Sequence, residues 1–77
     1  MASTSSNAIR LAVTLHQQGR LNEAERGYSA ILQAEPNHFD ALHLLGVLMH
    51  QRGHSAEALA LIAKAIEANA QSADAYA

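Results

Sequence analysis

Displaced against itself by 34 residues, the chain superposes Leu11 on Leu45, Val13 on Val47, His16 on His50, Gln17 on Gln51, Gly19 on Gly53, Glu23 on Glu57, Ala24 on Ala58 and Ala34 on Ala68. Similar residues coincide too: Ala12 with Gly46, Leu15 with Met49 and Leu32 with Ile66. A period of this length marks a repeat architecture, in which one supersecondary unit cannot bury its apolar face alone and must stack on a neighbour. At 77 residues the chain holds two such units and little more. A domain this small is marginal by itself.

Inside each unit the apolar positions recur at three and four residues, the period of a helix with one buried stripe. The stripes are Ala8, Leu11, Ala12 and Leu15; Ala24, Tyr28, Ile31 and Leu32; Leu42, Leu45, Gly46 and Met49; and Ala58, Leu59, Ile62, Ala65 and Ile66. Gly19 and Gly53 predict helix ends, since glycine tolerates the left-handed conformation found there. Asn22 and Ser55 are the expected N-caps, and Glu23, Glu25 and Glu57 favour first turns through the helix dipole. Pro36 closes the first unit by expelling its predecessor from the helical region. The pattern predicts four helices, at about 6–18, 22–34, 39–52 and 56–69, in an all-α fold of tandem antiparallel helix-turn-helix units. Ala70 replaces the proline in the second unit. The last helix therefore either runs on through Asn69, Ala70, Gln71 and Ser72 towards Ala77 or breaks near Asn69. The phase of the repeat favours the break, with Tyr76 in the place of Leu42.

Ala abounds beside one Pro, four Gly and three aromatic residues, a composition suited to closely packed helices. Five Lys and Arg against seven Asp and Glu leave a net charge of −2, which gives no footprint for nucleic acid or an anionic membrane. Residues 1–4 read as a disordered leader, and the basic and apolar regions of a signal peptide are missing from the first six residues. The most apolar stretch, Ala41 to Met49, contains His43 and falls well short of the roughly 20 residues that span a bilayer. Without cysteine there is neither a disulfide nor a thiolate metal site. A soluble, cytoplasmic protein is expected.

The unit has a small residue after an apolar one, Gly before its second helix, Glu-Ala opening that helix and Pro36 at the first closure. It resembles the tetratricopeptide repeat, with one repeat at 5–38, a second at 39–72, and 73–77 as the start of a third or an extension of the last helix. Departures are Ala8 and Leu42, where a large aromatic is usual, and Ala70. The resemblance implies an α-solenoid fragment that binds a protein or peptide and catalyses nothing. A second, weaker resemblance rests on the runs Gln18 to Ala24 and Asp40 to Leu48. These are similar to repeats preceding the glycosyltransferase domain in bacterial relatives of the O-linked N-acetylglucosamine transferase family. It implies an alternative role as a regulatory or substrate-presenting segment of a larger enzyme.

In tetratricopeptide arrays the first helices of successive repeats line a concave groove. The resemblance thereby places Ile9, Arg10, Val13, His16 and Gln17 beside His43, Leu44, Val47, His50 and Gln51. Leu44 and Val47 read equally well as core residues. A carboxylate clamp would need Lys and Asn at Ile9, Arg10 and Val13, and an asparagine ladder would need Asn at Arg10 and Leu44; neither pattern is present. Recognition then rests on apolar contact, with His and Gln hydrogen bonds at the rim. Two repeats fall below the three usually needed, so Leu59, Ile62 and Ile66, with Tyr76, are expected to support self-association by end stacking or helix exchange. His50 and His54 are four apart and His16 lies one repeat from His50, yet no Asp, Glu or Cys is placed to complete a metal shell. A pH-dependent interface fits these histidines better. No cofactor is expected. The chain carries no phosphate-cradling Gly loop and no Ser-His-Asp grouping. Glu23 and Glu25 point in different directions on a helix, as solvated charges near Arg20 and Arg26.

Overall fold

The computed structural model describes the backbone of residues 4–76 and the side chains of residues 7–69. Four helices follow in order: α1 (Thr4–Gln17), α2 (Leu21–Ala34), α3 (Phe39–Gln51) and α4 (Ser55–Tyr76), with no strand among the described residues. α1 packs on α2 and α3 packs on α4 as helical hairpins, and the hairpins stack through α2 against α3 with a lighter α1–α3 contact. The all-α repeat fold read from the sequence is present.

The turns inside the two hairpins are copies of each other. Gly19 has φ 80° and Gly53 has φ 82°. The Gly19 N–H donates to the His16 carbonyl at 3.0 Å and the Arg20 N–H to the Leu15 carbonyl at 2.9 Å. One repeat later, Gly53 donates to His50 at 3.0 Å and His54 to Met49 at 2.9 Å. This is the Schellman arrangement, which satisfies carbonyls that the helix end leaves without partners. α2 ends differently: Glu35, ahead of Pro36, adopts φ −133° and ψ 84°, outside the helical region.

The caps fall elsewhere than expected. Arg20 occupies the N-cap of α2, with no side-chain cap bond, and its carbonyl accepts from the Ala24 N–H at 3.0 Å. Asn22 consequently lies inside the first turn. At α4 the His54 carbonyl accepts from the Ala58 N–H at 3.0 Å, which makes Ser55 the first helical residue instead of the cap. The side-chain cap sits on α3, where His38 Nδ1 accepts from the Ala41 N–H at 3.1 Å. That role belongs more often to Ser, Thr, Asp or Asn. α1 begins at Thr4, inside the expected leader; residues 1–3 lie outside the described part.

The expected break near Asn69 does not occur, because α4 is continuous from Ser55 to Tyr76. Ala70 stands where the first repeat has Pro36. It keeps its N–H, leaves its predecessor unrestricted and has the highest helix propensity of any residue. Residues 73–76 thus extend the last helix, and Ala77 lies outside the described residues.

One core joins Ala12, Ala24, Tyr28, Leu45, Leu48, Met49 and Ala58 across all four helices, and a smaller cluster joins Leu42, Ala65 and Ala68. Leu32 packs against both. Helix α3 is covered from several sides, which is why it buries Ala41 and Leu48 in addition to the stripe of Leu42, Leu45, Gly46 and Met49. Close helix approach depends on small residues. A Cβ added at Gly46 would lie 2.7 Å from Ile62 Cγ1, and one added at Gly27 would lie 3.0 Å from Ala12 Cβ.

Candidate binding groove

Because α2 packs beneath them, α1 and α3 leave a groove between their outward faces. Its lining is Val13, His16 and Gln17 from α1, Leu44, Val47 and Gln51 from α3, and Tyr28 from α2, around a volume of about 400 Å³. The apolar walls come from the half-buried Val13, Leu44 and Val47. Leu44 also packs against the main core, so it serves both the core and the groove.

The polar end of the groove is a relay through three helices. His16 Nε2 lies 2.6 Å from Gln51 Oε1, and His16 Nδ1 lies 3.1 Å from the Tyr28 hydroxyl. A carboxamide oxygen can only accept, so Nε2 carries the proton, and in the neutral ring Nδ1 accepts from the Tyr28 O–H. The rings meet edge to face, with centroids 6.0 Å apart. Tyr28 is wholly buried, and burial raises its pKa above the ordinary tyrosine value. A buried phenol without a partner would be costly, so His16 completes the core as well as the groove rim. Among the described residues the Gln51 amide N–H groups have no partner.

The remaining expected groove residues are placed as follows. Ile9 is half-buried and packs against the main core. Arg10 and His50 are exposed and outside the lining. His43 stacks on Phe39, ring centroids 5.9 Å apart and planes 1° from parallel. The sequence pattern alone did not single out Phe39 as the ring beside His43 or Tyr28 as the partner of His16. The four-residue spacing of Phe39 and His43 on one helix face was the available signal.

On the face away from this groove, α2 and α4 both pack on α3 without meeting. The hollow between them has about 370 Å³ and is lined by Glu25, Ser29, Leu45, Met49, Glu57, Ala60 and Leu61. Arg52, the C-cap of α3, pairs with Glu25 at 3.3 Å and so ties the second hairpin to α2. Glu25 therefore pairs with Arg52 and not with Arg26. Glu23 does lie by Arg20, at 3.9 Å, and Glu57 lies by His54 at the same distance one repeat later. Exposed pairs of this kind contribute little.

A family model for the tetratricopeptide repeat matches residues 15–77. The chain belongs to the tetratricopeptide-repeat family. Such repeats form a non-catalytic fold and generally mediate protein–protein interaction. Searches of curated proteins and of solved structures returned no match. Among the described residues no group of three His, Cys, Asp or Glu is placed to hold a metal ion, and no helix is long and apolar enough to cross a membrane.

Proposed function

We propose that the chain is a scaffold that takes an extended or helical segment of a protein partner in the groove between α1 and α3. The carrying observation is the pairing of apolar walls at Val13, Leu44 and Val47 with polar groups at His16, Gln17 and Gln51 in one concavity. An aliphatic side chain of the partner rests on the walls, and the free Gln51 amide donates to a backbone carbonyl. The test is selection of random phage-displayed dodecapeptides on the parent, followed by titration of the winners against Val47→Asp and, on the far face, Ala60→Asp. Loss of affinity of about tenfold or more with Val47→Asp alone supports the groove. Winners that bind Val47→Asp as they bind the parent overturn it.

A second surface supports self-association. Leu59 and Ile66 are exposed on α4, seven residues apart and therefore on one face. Ile62 contributes less than its spacing implied, because it is half-buried in the approach of α4 to Gly46. The side chain of Tyr76 lies outside the described residues.

A further inference from the structure

The exposed faces of α1 and α4 are repeat-equivalents of surfaces that bury each other in the middle of the molecule. Leu11 corresponds to Leu45, and Ile66 corresponds to Leu32. Leu45 is almost fully buried and Leu32 packs against both cores, whereas Leu11 and Ile66 are both more than three-fifths exposed. Each face lacks the cover that the other can supply.

We propose that two copies of this chain join head to tail, α4 of one against α1 of the next, repeating the internal α2–α3 contact. The inference rests on the self-association reading above and adds its geometry. Side chains at the joint follow by the 34-residue shift. Beside the internal Leu45 lie Glu25 and Ser29; beside Leu11 of the second copy would lie their equivalents Leu59 and Ala63. The joint is thus more apolar than its internal counterpart. The internal ion pair of Glu25 with Arg52 becomes Leu59 opposite Gln18, so no charge is left unpaired at that position.

The polar bridge is also preserved. Internally His16 of the first repeat binds Gln51 of the second. Across the joint the equivalents are His50 of one copy and Gln17 of the next, the same two residue types. Both are exposed, and neither has a side-chain hydrogen bond among the described residues. His50 retains the ring and Gln17 the carboxamide that the internal bridge uses. A contact of this kind is heterologous, so it propagates and does not stop at a dimer.

Sedimentation equilibrium of the parent from micromolar to millimolar concentration, beside Leu11→Glu and Ile66→Glu, decides the matter. Both substitutions are at exposed positions, and circular dichroism verifies that the variants remain folded. The parent should gain mass continuously with concentration, each variant alone should stay monomeric, and their equimolar mixture should form a dimer and nothing larger. Only a head-to-tail joint gives that complementation, since each variant keeps the end the other has lost. His50→Leu should weaken association about threefold or more. Association by Leu11→Glu equal to the parent's would uphold self-association but overturn the head-to-tail joint. A parent that stays monomeric at millimolar concentration overturns both and assigns the two faces to another cover.

Discussion

The two hairpins carry the same pattern and bury it differently. Leu11 in α1 is 62% exposed, while Leu45, its equivalent in α3, is 7% exposed. Tyr28 in α2 is fully buried, while its equivalent Ile62 in α4 is half-buried. Residue type does not account for this, since Leu11 and Leu45 are identical. Place in the stack does: α3 has neighbours in α1, α2 and α4, whereas α1 touches α2 closely and α3 only lightly. In a repeat protein, burial belongs to the interface between units as much as to the unit.

The largest difference should appear at the Tyr28 and Ile62 pair. Replacing Tyr28 with Ala removes a large, fully buried side chain and strips His16 of its Nδ1 partner, at a cost of about 3–5 kcal/mol. Replacing Ile62 with Ala removes a half-buried group resting over Gly46 and should cost roughly 1–2 kcal/mol. Urea unfolding of dilute samples measures both. Equal costs would mean that the second hairpin is as fully packed as the first.

The Leu45 and Leu11 pair tests the comparison with chemistry held constant. Leu45→Ala should cost about 2–4 kcal/mol, because it opens a cavity beneath the α2–α4 hollow. Leu11→Ala should fall within ~0.5 kcal/mol of the parent in dilute solution. A larger loss at Leu11, appearing only as concentration rises, would instead report a contact between copies.

The comparison also explains what was legible beforehand. Helix number and the glycine turns depend on local signals that recur in each repeat, and both were readable from the 34-residue shift. Groove residues emerged in part: Val13, His16, Gln17, Leu44, Val47 and Gln51 do line one concavity. Ile9 packs against the core and His43 stacks on Phe39, and neither lines that concavity. The role of Tyr28 could not be read from a stripe, since periodicity shows which face is buried and not which hydroxyl needs a partner. α4 runs past Asn69 against the phase of the repeat because Ala70, unlike Pro36, does not stop a helix. A repeat register cannot break a helix when the residue at the expected break is alanine.

The glycines that close the hairpin turns isolate the local part of the comparison. Gly19 and Gly53 have nearly equal positive φ values, and a Cβ at either would meet nothing within 4 Å. Gly19→Ala and Gly53→Ala therefore pay only for forcing an L side chain into the left-handed region, about 1 kcal/mol each. Thermal unfolding should show matching losses for the two variants, despite the unequal burial of the hairpins they close. A markedly larger loss for Gly53→Ala would show that the second turn is coupled to the Arg52–Glu25 tie, which lies one residue before it. In that case even the turns would feel the asymmetry of the stack.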